Sequence, residues 1–271
     1  MTDLNQLFIS YKSYIKSKYP ERLRVFRAIE KNNPASARAE AVVHSLLASN
    51  DADVTINEDP STGGADLICE NFGHKFLVEV TSFESSTVTN KSNIPDEDPH
   101  EIKAHLFSYI TSLLQRKARA KVEQLADEPH PRILAICSEH IANNVLLSKF
   151  AAKELMTGDT KIKVELNRPS APHKNITELE SSVFIRKDSE GKIESCRRSI
   201  SAILLVQVNN DLCRVYGLLH PDPEVEFRYE LLPRIPFIRF STWPIKKNEI
   251  FCEWIIDDPN PYTSYYNEFK A

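Results

Sequence analysis

The sequence predicts an α/β protein in which helices flank a mixed sheet. Three observations carry that prediction. Residues 34–47 and 100–126 place their apolar side chains at helical intervals. Two strand-like runs, 66–69 and 75–80, are joined by Asn71-Phe72-Gly73-His74, a turn of the kind that closes a hairpin. Arg132-Ile133-Leu134-Ala135-Ile136-Cys137 is almost continuously apolar, as a strand covered on both faces must be. Its position after a long helix makes it parallel to its neighbour.

The other elements follow in order. Residues 4–17 and 20–31 show helical spacing, with Leu4, Phe8, Tyr11 and Ile15 on one face. Asn33-Pro34 supplies an N-cap and a first helical position for the 34–47 helix. Residues 53–57 alternate as a strand does. Residues 84–100, rich in Ser, Thr, Asn, Asp and Pro, are expected to form a long polar loop. On the 100–126 helix, Leu106, Tyr109, Ile110, Leu113 and Leu114 make the apolar stripe. A short helix is expected at 141–153, and 157–182 reads as irregular. Val183–Arg186, Ala202–Val208 and Leu212–Leu218 read as strands. The last fifty residues hold Phe237, Phe240, Trp243, Phe251, Trp254, Tyr265 and Tyr266, expected as packed core rather than a base-stacking platform. The chain thus divides into N-terminal helices (1–33), a core (34–155) and a C-terminal β-rich extension packed on it (156–271), read as one continuous domain.

Composition bounds the function. Apolar residues make up 41% and charged residues 27% of the 271, enough for a substantial core. The net charge of -4 excludes binding of nucleic acid by the surface as a whole, so such a partner must meet a local basic patch. Six glycines, no Walker-type loop and no dinucleotide fingerprint argue against ATP or NAD chemistry. Cys69, Cys137, Cys196, Cys213 and Cys252 lack zinc spacing and read as buried thiols in a reducing compartment. No run is long enough to span a membrane and the N-terminus lacks signal-peptide character, so the expected location is cytoplasmic, without membrane association. His100 and His105 lie five residues apart, not the four that would put two zinc ligands on one helix face.

Two carboxylates stand out. Asp66 opens one strand after Gly63-Gly64-Ala65, and Glu79 lies near the end of the next, inside an apolar run. The hairpin between them can set the two side by side. A charge inside such a strand needs a partner or a metal. Converging carboxylates suit a hard divalent cation, which can activate water and stabilise charge developing on a phosphate.

Gly64-Ala65-Asp66, a hairpin, then Glu79-Val80-Thr81 resembles the signature of the PD-(D/E)XK nuclease superfamily, and the element order over residues 34–140 matches that family's α-β-β-β-α-β core. The resemblance implies a restriction-endonuclease-like fold. It implies Mg²⁺ or Mn²⁺ held by Asp66, Glu79, the backbone carbonyl of Val80 and a helix glutamate, Glu40. A solvent-facing helical charge is the other reading of Glu40. The departure is Thr81, which stands where the family usually has lysine and cannot supply a positive charge. Lys117, Lys121 and Gln124 share a helix face at i, i+4 and i+7, with Arg116 and Arg119 adding charge. Lys117 or Lys121 could replace the missing lysine, with Gln124 and Thr81 orienting water or phosphate. A solvated basic face is the alternative for these residues. The function implied is metal-dependent phosphodiester hydrolysis of nucleic acid, DNA in particular. A homodimer is a further partner, because many nucleases of this fold pair to cut both strands. The alternative is a nuclease-like module without catalysis that binds nucleic acid or protein.

Overall fold

The computed structural model of the chain describes residues 3–57, 65–92, 116–118, 129–140, 147–163, 174–178, 182–245, 250–255, 262–265 and 269. It is an α/β structure built on a nine-stranded mixed sheet.

Three helices lead the chain: α1 (Leu4–Lys18), α2 (Leu23–Asn32) and α3 (Pro34–Ser49). The Asp3 side chain caps α1 by accepting from the backbone N–H of Gln6 at 2.7 Å. Asn33 caps α3 by accepting from Ser36 N–H at 2.9 Å, with Pro34 in the first turn, where its missing N–H costs nothing. Three strands then form a meander: β1 (Asp53–Ile56), β2 (Leu67–Asn71) and β3 (His74–Phe83). The β2–β3 turn has positive φ at both central residues, 48° at Phe72 and 76° at Gly73. This is the turn whose twist suits a two-residue hairpin, and it requires a residue like glycine.

Strand β4 (Arg132–Ser138) lies parallel to β3, and β9 (Ala202–Val208) lies parallel to β4. β10 (Leu212–Leu219), β11 (Phe237–Phe240) and β12 (Cys252–Trp254) extend the sheet, and β13 (Tyr262–Ser264) pairs with β10. The C-terminal segment therefore continues the central sheet through β9. Gly217 is needed where β10 meets β11: a Cβ there would stand 2.2 Å from the Phe237 ring.

Two expectations are corrected. The polar segment after β3 opens with a helix, α4 (Ser85–Ser92), held by Val88, whose side chain is fully buried. Tertiary packing here overrides the weak helix propensity of Ser, Thr and Asn. The stretch expected to be irregular contains the antiparallel pair β5 (Asp159–Lys163) and β6 (Lys174–Glu178). Helix α5 (Lys149–Thr157) starts at the Ser148 cap, later than the sequence spacing indicated, although residues 141–146 lie outside the described residues. The small pair β7 (Ile185–Lys187) and β8 (Ile193–Ser195) completes the set.

Strand alternation divides the core in two. One face of the sheet, with Phe76, Val78, Val80, Ile133, Leu204 and Phe237, packs against α1, α2 and α3. The other, with Leu77, Phe83, Leu134, Ile136, Ile203 and Leu205, is covered by Val88 of α4, Ala118 and α5. Each fully buried large apolar side chain contributes roughly 1.5–3 kcal/mol. Phe237, Phe240 and Tyr265 join this core as expected, whereas Phe251 is exposed. Cys69, Cys137 and Cys213 are buried, and none of the five cysteines forms a disulfide. Among the described residues, no helix is long and apolar enough to cross a membrane.

Candidate active site

Asp66 and Glu79 meet because of strand register. Leu67 pairs with Val78, so continuing one residue back along β2 sets Asp66 opposite Glu79. Directly opposed residues of an antiparallel pair put their side chains on one face. The ladder ends here: in place of a backbone carbonyl, the Asp66 carboxylate accepts from the Val80 N–H, Oδ2 to N at 2.6 Å. The N–H and C=O of one strand residue point to the same neighbouring strand. The Val80 carbonyl is therefore directed to the Asp66 side, where regular pairing has stopped.

Alternation along β3 sends Glu79, Thr81 and Phe83 to the same face as Leu77. Glu79 and Thr81 are both buried, at 3% and 6% exposure. Residues 116–118 are helical and cross above them, with Ala118 in the core of that face. Lys117 reaches down: its Nζ donates to Thr81 Oγ1 at 3.4 Å and lies 5.6 Å from the centre of the Phe83 ring. A lysine ammonium thus stands beside Thr81, two residues along the strand from Glu79. Arg116 is exposed. Lys121 and Gln124 lie outside the described residues, as does Arg119.

Glu40 has a different setting. It is buried on α3, which packs against the opposite face of the sheet, and its Oε1 accepts from Tyr11 Oη at 2.8 Å and from Arg22 Nη2 at 3.1 Å. Burial, then the neighbouring Glu40 carboxylate, pushes the Tyr11 phenol well above its ordinary pKa, so it remains a donor. Among the described residues, no group of three or more His, Cys, Asp or Glu side chains is placed to hold a metal ion. Glu40 is therefore not gathered with Asp66 and Glu79. The solvent-facing reading also fails, because an arginine and a tyrosine from the preceding helices claim the carboxylate. The oxygen donors that the hairpin register sets at this edge are the Asp66 and Glu79 carboxylates and the Val80 carbonyl. That all-oxygen set fits magnesium or manganese, hard ions that keep several waters and take only one or two carboxylates.

The sequence reading missed what closes this end of the sheet. His140 follows β4 and is fully buried, with Nε2 3.2 Å from Thr89 Oγ1 of α4. Arg38 of α3 grips Glu139 with two hydrogen bonds of 2.7 Å, and that carboxylate holds the guanidinium pKa above its ordinary value. Ser138-Glu139-His140 follows directly on an apolar parallel strand. The ends of such strands are where ligands collect in α/β sheets, and that placement was the available signal.

No known family model, curated protein or solved structure matches the chain.

Proposed function

We propose that this protein is a metal-dependent phosphodiesterase acting on nucleic acid, with DNA the expected substrate. The observation that carries the reading is the Lys117 ammonium at Thr81 Oγ1, on the strand face that also bears Glu79, with Asp66 across the ladder. Thr81 cannot act as the strand lysine would, and Lys117 supplies the cation from the covering helix instead. The helix–meander–helix–parallel strand order over residues 34–138 supports a restriction-endonuclease-like core.

Asp66, Glu79 and the Val80 carbonyl would hold Mg²⁺ or Mn²⁺. When bound, the ion lowers the pKa of a coordinated water and offsets charge on the phosphate. The chain's own groups do the rest. The Asp66–Val80 hydrogen bond fixes the first carboxylate against the strand. Lys117 places a positive charge where the attacked phosphate's extra negative charge develops, at a site covered by helix and therefore poor in water. Thr81 orients the lysine.

The test is cleavage of DNA and RNA with Mg²⁺ or Mn²⁺. Glu79→Gln and Lys117→Met are each expected to lower the rate at least 100-fold while the protein remains folded. Wild-type protein that neither binds Mn²⁺ by calorimetry nor cleaves any substrate would defeat the proposal. That result would favour a binding module of the same fold.

A further inference from the structure

A second feature lies away from these carboxylates. A cleft of about 430 Å³ opens where β10 leaves the sheet, beside the loop 221–230. That volume is in the range of small-molecule sites. Ser201 and His220 are in its wall, but both are committed to backbone. Ser201 Oγ accepts from Arg132 N–H at 2.9 Å and donates to Val225 O at 2.6 Å. His220 has Nε2 2.9 Å from the Cys196 carbonyl, while Nδ1 accepts from Asp222 N–H at 3.0 Å. Its tautomer is therefore fixed with the proton on Nε2. Neither side chain is therefore available as a nucleophile or base.

The groups left for a ligand are of three kinds. Tyr229 and Trp243 are partly exposed and present ring surface. Arg228 is exposed and donates to His74 Nε2 at 3.1 Å; a guanidinium can only donate, so that nitrogen is an acceptor and the contact is not an ion pair. Glu226 and Glu230 are exposed carboxylates on the same lining. Arg239, the other cation there, is engaged by Glu253 at 2.8 Å. An aromatic wall, one guanidinium and carboxylate acceptors match the three parts of a nucleotide. Aromatic rings stack bases, guanidinium binds phosphate, and carboxylates accept from an exocyclic amino group.

We propose that this cleft binds a nucleotide whose base carries an amino group. The base lies against Tyr229 and Trp243, the phosphate on Arg228, and Glu226 or Glu230 takes the amino hydrogens. The unit is either a free nucleotide or part of a single strand. Leu218 is in register with Ile203, Leu134 and Glu79, three strands from β3. At about 4.8 Å per strand, that puts the cleft roughly 15 Å from Glu79, within reach of a short strand. The nucleotide site stands independently of the cleavage reading.

The experiment is calorimetric titration of the full chain with AMP, CMP, UMP, inorganic phosphate, spermidine and a short single-stranded oligonucleotide. Trp243 fluorescence is followed in a Trp254→Phe background, which removes the second of the two tryptophans. Expected are saturable binding and quenching by AMP and CMP, and at least tenfold weaker binding in Arg228→Ala at an unchanged unfolding midpoint. UMP should bind several-fold more weakly, a difference erased in Glu226→Gln/Glu230→Gln. An oligonucleotide that binds more tightly than AMP and competes with it assigns the site to a strand; equal affinity assigns it to free nucleotide. No saturable binding, an unaffected Arg228→Ala, or phosphate or spermidine binding as tightly as AMP would overturn the proposal. Glu79→Gln should leave nucleotide affinity unchanged, so loss of cleavage and loss of this site are separate outcomes.

Discussion

Glu40 and Glu79 are both buried carboxylates, 6% and 3% exposed, on elements that pack against each other, yet their settings differ. Glu40 belongs to the side of the sheet covered by the N-terminal helices. There it accepts from Arg22 and Tyr11 and locks three helices together. Glu79 lies on the other side, opposite Asp66 and one alternate residue from the Thr81–Lys117 contact. The first carboxylate is satisfied by partners whose only geometry is structural. The second lies at the Asp66 end of the β2–β3 ladder, on the face that residues 116–118 cross. The difference teaches that burial alone does not mark a site; the neighbours that each carboxylate is given must be compared.

The largest effect that would break this contrast is Arg22→Ala. Removing one partner of a buried ion pair leaves an uncompensated charge, and such losses run to about 3–5 kcal/mol. Arg22 and Glu40 are each 8% exposed by side chain, so solvent gives little relief. Denaturant midpoints should show the loss in Arg22→Ala, while Glu40→Gln, which can still accept from Tyr11, should lose less. Stability unchanged in Arg22→Ala would mean that Glu40 is held by something else.

Acid should act on the same side of the sheet. His44 lies one turn after Glu40, with the Tyr11, Tyr14 and Phe269 rings centred 5.1–5.3 Å away. Its ring nitrogens reach no hydrogen-bond partner among the described residues. Burial lowers its pKa from 6.5 to about 4. The folded protein therefore binds this proton less readily than the unfolded chain does. The stability tied to neutral His44 is fully present above about pH 6.5 and is lost as pH falls towards 4, on the order of 3 kcal/mol by the lower limit. His220, also lowered to about 4 by burial, adds a loss of the same sign. A His44→Phe variant should show a flatter fall in stability across that window. Parallel pH curves for variant and wild type would rule out His44 as a source of acid sensitivity.

How much of this was legible in the sequence depends on the range of the forces involved. The start of α3 at Asn33-Pro34 is a local matter of capping, and the spacing reads it correctly. The β2–β3 hairpin is equally local, because Gly73 and its neighbours dictate the turn, and the hairpin register then determines that Asp66 faces Glu79. Lys117 was legible as one member of a helix face. Its contact with Thr81 was not, since that contact spans 36 residues. The partners of Glu40 were hidden for the same reason: Arg22 and Tyr11 lie 18 and 29 residues away in the chain, and only helix packing brings them in. Helix α4 was missed because its composition favours a loop and only the burial of Val88 decides otherwise. The cleft draws its lining from β10, β11, the loop between them, Ser201 before β9 and Trp243 after β11, so no short motif announces it.

The comparison is sharpened further by Glu79→Gln measured for stability rather than turnover. Gln keeps the shape while removing a charge from an apolar strand. Its unfolding midpoint is expected to fall within about 1 kcal/mol of wild type, because sites arranged for function are seldom arranged for stability. A loss as large as that of Arg22→Ala would place Glu79 in the structural class with Glu40.

The smallest effect concerns Lys117. Its hydrogen bond to Thr81 is long at 3.4 Å, and its ammonium sits 5.6 Å from the Phe83 ring, near the outer limit of a useful cation–π contact. Such contacts together supply less than about 1 kcal/mol when the group is partly exposed, as Lys117 is. Lys117→Met keeps most of the apolar stem over Phe83 and should leave the thermal midpoint nearly unchanged. The proposed role of this cation in binding phosphate requires that its removal cost turnover and not stability. If Lys117→Met instead destabilised the fold as strongly as Arg22→Ala, the two sides of the sheet would differ in position only, and the assignment of Lys117 to phosphate would fall.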